Sequence, residues 1–92
     1  MEIKHVRREN KGFFIATDNG EEAGVMTYSP AGDDKIIIDH TEVHQQFYGK
    51  GIGKKLLMAA VDFARETNVK IIPLCTYAKS VFDKDKEIQD VL

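Results

Sequence analysis

Val43-His44-Gln45-Gln46-Phe47-Tyr48-Gly49-Lys50-Gly51-Ile52-Gly53-Lys54-Lys55-Leu56-Leu57 is the stretch that decides how this chain folds. Three glycines at alternate positions, Gly49, Gly51 and Gly53, separate a β-branched run from an amphipathic one. Before them, Lys35-Ile36-Ile37-Ile38-Asp39-His40-Thr41-Glu42-Val43 holds three consecutive isoleucines. That run predicts a strand covered on both faces at the centre of the sheet. After them, Ile52, Leu56, Ala60, Phe63 and Ala64 recur at helical spacing, and Leu57 and Val61 widen the stripe. Lys54, Lys55, Asp62, Arg65 and Glu66 face away, so the spacing predicts a helix from about Lys50 to Thr67, with Asn68 placed to stop it. Val69-Lys70-Ile71-Ile72-Pro73-Leu74-Cys75 then resumes as a strand. Strand, helix and strand in this order predict a parallel pair joined by a right-handed crossover.

Upstream, the pattern changes to hairpins. Gly12 to Thr17 is a strand, Asp18-Asn19-Gly20-Glu21-Glu22 carries the Asn-Gly signal of a tight turn, and Ala23 to Tyr28 is the return strand. Ser29 to Asp34 reads as a second turn. From Glu2 to about Arg8, Ile3 and Val6 break strict alternation and predict a first strand that could fray. Downstream, Thr76 to Phe82 predicts a short helix, and the charged tail from Asp83 a mobile or loosely helical end. The expected fold is α/β, of the mixed α+β kind. Antiparallel N-terminal strands lead into a parallel β-α-β unit and a short final helix.

Composition sets the outer limits. A chain of 92 residues buries one core, so residues 1–92 are expected to form a single domain. The apolar fraction of 42% against 30% charged supports a packed globule rather than disorder. Net charge is -2 with no basic stripe, which predicts no nucleic-acid partner. No apolar stretch approaches the roughly 20 residues that span a bilayer, and the start lacks the apolar core of a signal peptide. A cytoplasmic protein without a membrane partner is expected. Cys75 is the only cysteine, so no internal disulfide can form. His5 and His44 lack partners at metal-site spacing, and no metal is expected. Oligomeric state stays open, and a monomer is compatible with everything above.

The glycine run carries the chemistry. Without side chains the backbone can curl and bring successive N–H groups against an anion at the positive end of the helix dipole, which suits a pyrophosphate. A tight turn with glycines present only for geometry is the other reading. No Gly-Lys-Ser/Thr makes a Walker loop here, and the six-residue dinucleotide fingerprint with its later acidic residue is absent.

Tyr48-Gly49-Lys50-Gly51-Ile52-Gly53-Lys54-Lys55-Leu56-Leu57 resembles motif A of the GCN5-related N-acetyltransferases, Gln/Arg-x-x-Gly-x-Gly/Ala at a strand-to-helix junction. Gly51 and Gly53 take the two small positions, and Tyr48 stands where that family usually has Gln or Arg. Gln46-x-x-Gly49-x-Gly51 also matches two residues earlier, but the later register leaves the helix directly after the loop. Cys75-Thr76-Tyr77-Ala78-Lys79-Ser80-Val81-Phe82-Asp83-Lys84 echoes the later family motif Asn-x-x-Ala-x-x-x-Tyr-Glu-Lys. Cys75 replaces its asparagine, and Phe82 the tyrosine that often protonates the leaving thiolate. The resemblance covers Ile36 to Lys84. Only Glu9-Asn10-Lys11 separates the first two strands, where the family usually has two acceptor-binding helices, so the chain looks like a short subfamily.

The resemblance implies acetyl-coenzyme A as cofactor, with coenzyme A contacts from Val43, Tyr48, Gly49, Lys50, Gly51, Ile52, Gly53 and Lys54, and Lys55 also available for phosphate charge. It implies acetyl transfer to an acceptor, a protein or peptide in a chain too short for a closed pocket. Topology independently puts the site at the carboxyl ends of the parallel strands, where His40, Glu42 and Cys75 stand. His40 and Glu42, two apart, share a face and can be aimed together as a base. Glu42 reads equally as a solvated charge, and His40 as a hydrogen-bonded, half-buried residue. Cys75 is either a small buried hydrophobe or, at a helix start, a thiol placed to act as nucleophile or acetyl carrier. Pro73 lacks an N–H for the ladder and favours a parting of neighbouring strands, the kind of gap the pantetheine arm enters in the resembled fold. Phe82 favours a binding or sensing module without turnover. His40, Glu42 and Cys75 together favour an enzyme, and a purely structural docking domain is the third class.

Overall fold

The computed structural model describes Met1 to Leu92. Four strands, β1 (Glu2–Arg7), β2 (Gly12–Asp18), β3 (Glu21–Pro30) and β4 (Lys35–Val43), form an antiparallel meander. Helix α1 (Ile52–Thr67) then crosses over to β5 (Lys70–Pro73), which pairs parallel to β4. Helix α2 (Thr76–Lys84) and a 3-10 helix, Lys86–Val91, complete the chain. The strand order is β1-β2-β3-β4-β5. This is the mixed architecture that the sequence predicts. The Asn19-Gly20 turn is where the hairpin signal puts it, with both residues at positive φ.

The buried sheet side chains share one core with α1. Phe14, Ala16, Met26, Tyr28, Ile36 and Ile38 meet Ile52, Leu56, Leu57, Ala60, Val61 and Ala64 of the helix. Each large aliphatic taken from water there contributes about 1.5–3 kcal/mol. On the opposite face Phe13, Ile15, Val25 and Ile37 are only half-buried.

Several expectations are corrected. β3, not β4, is the central strand, and Ile37 looks onto the open face, because β-branched residues suit a half-exposed pleat as well as a buried one. β5 ends at Pro73 rather than Cys75. The carbonyl of Ile38 accepts from both Leu74 N–H at 3.0 Å and Cys75 N–H at 2.9 Å, so the chain curls off the sheet there. Of the two forms expected for the tail the helical one holds, as the 3-10 helix, and it is docked rather than mobile. Ile88 and Val91 are buried in the core, and Arg65 donates to Asp90 Oδ1 at 2.8 Å and to the carbonyl of Glu87 at 2.9 Å.

Candidate functional site

The site is built where β4 ends and α1 begins. After Val43 the chain makes a 3-10 turn, Gln45–Phe47, that buries Phe47, and Tyr48 is then two-thirds exposed. Gly49 and Gly51 lie at φ 85 and 72, in the left-handed region that a side chain resists. A Cβ on either would meet nothing within 4 Å, so the loop faces open space. Gly51 is the N-cap of α1, which makes the helix begin at Ile52 rather than at Lys50. The first helical bond runs from Lys55 N–H to the carbonyl of Gly51. The amides of Ile52, Gly53 and Lys54 therefore emerge from the helix end without intrahelical partners, and glycine has no side chain to cap them.

The charges around this end run against helix stability. The first turn has no acidic residue and carries Lys54 and Lys55, although the dipole there favours negative charge. Lys50 Nζ stands 4.0 Å from Asp18, and Lys54 Nζ 3.5 Å from Asp85, while Lys55 has no ion-pair partner. The helix start is thus uncapped and lysine-flanked, a combination that favours negative charge beside it.

Gly53 has a different reason to be glycine. Its φ is ordinary, but a Cβ would stand 2.9 Å from Cζ and Oη of Tyr77. Thr41, Val43, Phe47, Tyr48, Gly49, Gly51, Ile52, Gly53 and Tyr77 line one cleft of about 330 Å³. A slightly larger hollow of 370 Å³ lies at the opposite end of the sheet and contains none of the glycine loop.

A bulge determines which β4 residues reach the cleft. Tyr28 pairs with Ile38 and Thr27 with His40, so Asp39 is the extra residue. Its carboxylate accepts from Thr27 Oγ1, from Ser29 Oγ at 3.1 Å and from Lys11 Nζ at 3.0 Å. Burial alone would raise its pKa, but the hydrogen bonds from Thr27, Lys11 and Ser29, with the lysine charge, outweigh that and hold it below the ordinary carboxyl value. Without the bulge, the alternation of Ile36 and Ile38 would carry His40 and Glu42 into the core. With it, Thr41 pairs with buried Met26 and Val43 with Gly24 on the cleft side. His40 and Glu42, paired with Thr27 and Val25, are exposed on the open face.

Beyond Ile38 and Pro73 the pairing of β4 with β5 stops, at the proline where the sequence predicts a parting. Cys75, the N-cap of α2, sits at the mouth of that gap and donates from Sγ to Thr41 Oγ1 at 3.4 Å. Val43, Tyr48, Gly49, Gly51, Ile52 and Gly53 are thus brought into one cleft, with Lys50 and Lys54 on the same loop and helix end. Cys75 meets Thr41 there, whereas His40 and Glu42 point to the opposite side of the sheet. Phe82 is 1% exposed, packed in the core. Thr41 and Tyr77 are site residues that the sequence reading does not find. Tyr77 lies inside the quoted motif echo, but only the register of α2 against Gly53 brings it over the cleft.

A model described as GCN5-related N-acetyl-transferase matches residues 12–91, and the chain belongs to that family. Protein NATD1 of Xenopus tropicalis is 31% identical over 77 residues, 84% of this chain and 70% of its own length. The solution structure of a GCN5-like protein from Staphylococcus aureus is 42% identical, covers 98% of this chain and 85% of its own, and superposes with a TM-score of 0.72. An acetyltransferase of the same superfamily from Elizabethkingia anophelis, solved with acetyl-CoA bound, shares the fold at 23% identity and a TM-score of 0.63, over 70% of this chain and 42% of that one.

Proposed function

We propose that this chain binds acetyl-coenzyme A on the glycine loop and passes the acetyl group to an amine on a protein or peptide. The observation that carries the reading is the start of α1, where unpartnered amides and three lysines surround a loop facing open space. A pyrophosphate fits such a donor set. The amides around Gly49, Gly51 and Gly53 would hold it, with Lys50, Lys54 and Lys55 supplying charge, and Val43, Tyr48 and Ile52 flanking it in or beside the cleft. When bound, the coenzyme supplies an activated thioester. His40 or Glu42, on the sheet face opposite the cleft, is assigned the role of taking the acceptor's proton, which requires the acceptor to approach the β4–β5 gap from that open face. Cys75 is assigned as acetyl carrier or leaving-group partner, beside Thr41 at the strand gap. The proposal sets this activity in the cytoplasm, where the one free thiol stays reduced. No helix is long and apolar enough to cross a membrane.

Phe82 in the core supports a second reading, coenzyme binding or sensing without turnover, since no hydroxyl is present at the family's tyrosine position. Calorimetric titration with acetyl-coenzyme A, followed by thiol-release assays with peptides and with a simple polyamine, separates the two. The first reading expects binding, thiol release with peptides and little with the polyamine. Binding without release establishes the second, and no binding removes both. Gly51→Val in a folded protein should weaken binding about tenfold or more, because φ 72 is costly for a β-branched residue and the new side chain stands before the amides.

A further inference from the structure

Tyr77, in the first turn of α2, leans away from its own helix and rests its ring on Gly53 of α1. Gly53 occupies an ordinary helical position, where alanine would be the more stabilising choice. Its missing side chain therefore makes room for one neighbour, the Tyr77 ring. Tyr77 Oη has no hydrogen-bond partner in the chain, although its hydroxyl borders the cleft. Burial first, and the nearby Cys75 second, push its pKa up, so it remains a donor. Across the cleft stand Thr41 and Val43 of β4. A ligand that runs along this cleft from the glycine loop towards Thr41 and Cys75 passes between these two walls.

We infer that Tyr77, seated on Gly53, clamps the thin, amide-bearing arm that joins the pyrophosphate of the coenzyme to its thioester, with Oη donating a hydrogen bond to that arm. The inference rests on the coenzyme reading above and adds a positioning residue to it. Such a clamp makes the site favour ligands that carry the arm over ligands that end at the pyrophosphate. It also separates the work of the three glycines: Gly49 and Gly51 shape the anion loop, and Gly53 seats the ring.

The test is calorimetry with acetyl-coenzyme A and with ADP, which has the pyrophosphate but no arm. It is run on wild type, Tyr77→Ala, Tyr77→Phe, Gly53→Ala and the double variant, each checked for a cooperative thermal transition that shows it is folded. Tyr77→Ala should weaken acetyl-coenzyme A about tenfold and leave ADP within about twofold, and Tyr77→Phe should fall between. Gly53→Ala should weaken acetyl-coenzyme A in wild type by displacing the ring. In the Tyr77→Ala background it should add nothing, because the ring that makes the methyl's three nearest contacts is gone. Equal losses for both ligands would overturn the clamp, since Tyr77 would then act through the loop. An undiminished Gly53→Ala loss in the double variant overturns it too, as does wild-type affinity in Tyr77→Ala. A wild type that binds neither ligand overturns the coenzyme reading itself and the clamp with it, a result distinct from all of these.

Discussion

A methyl group on Gly12 would overlap the ring and hydroxyl of Tyr28, which is 3% exposed and closes one edge of the core. Gly12→Ala should therefore destabilise the protein by about 1–3 kcal/mol, the usual cost of overpacking, and urea denaturation measures it. Equal stability would mean that Tyr28 can move. Tyr28 also receives His5, whose Nε2 lies 2.7 Å from its hydroxyl and whose ring stacks on Phe14 at 4.2 Å. Burial first, and the charge of Arg7 second, hold His5 below its ordinary value of 6.5. The folded chain thus keeps His5 neutral where the unfolded chain would protonate it. The stability this contributes is complete above 6.5 and is lost as pH falls through 6.5 towards the lower folded value. The urea midpoint should fall between about pH 7.5 and pH 5.5, and His5→Phe should flatten that slope. Neither Gly12 nor His5 stands out in the sequence. A glycine opening a strand and a histidine in a weak one acquire their roles from partners on other strands, Tyr28 above all.

The helical spacing of Ile52, Leu56, Ala60 and Ala64 makes α1 legible in the sequence, and all four are buried. The glycine run likewise marked the loop, because the positive φ of Gly49 and Gly51 calls for glycine, although Gly53 is glycine for the room it leaves Tyr77. The bulge at Asp39 had no such mark. A run of β-branched residues followed by Asp-His-Thr-Glu-Val fits an unbroken strand, and only the cross-strand grip of Thr27, Ser29 and Lys11 on the carboxylate reveals the extra residue. The docking of the tail had no clear mark for a related reason. Asp83-Lys84-Asp85-Lys86-Glu87 suggests a solvated end, but the two aliphatics behind it, Ile88 and Val91, are enough to dock a 3-10 helix. Removing residues 87–92 should cost about 3 kcal/mol or more, the loss of two buried aliphatic side chains, read as a lowered urea midpoint. An unchanged midpoint would show that the tail adds nothing to the core.

At the scale of the molecule, strand–helix–strand order revealed the parallel unit, whereas the one-sided cover of the sheet was hidden, because half-exposed and buried strands draw on the same residues. The antiparallel strands are each paired with their neighbours in sequence, and the only pairing across a long crossover is the four-residue match of β4 with β5. Loop closure makes that non-local pairing the slow part of folding. The meander should form first, and β5 with the start of α2 should seat last. The native state then opens by the same route in reverse, with the edge strand detaching while the hairpins hold. In native-state hydrogen exchange, the amides of Leu74 and Cys75 should exchange well before those of Phe14 and Met26, and exchange at one common rate would contradict this order. The gap beside Thr41 and Cys75 is then the least cooperative part of the domain, a seam able to breathe on its own while the rest of the sheet stays closed.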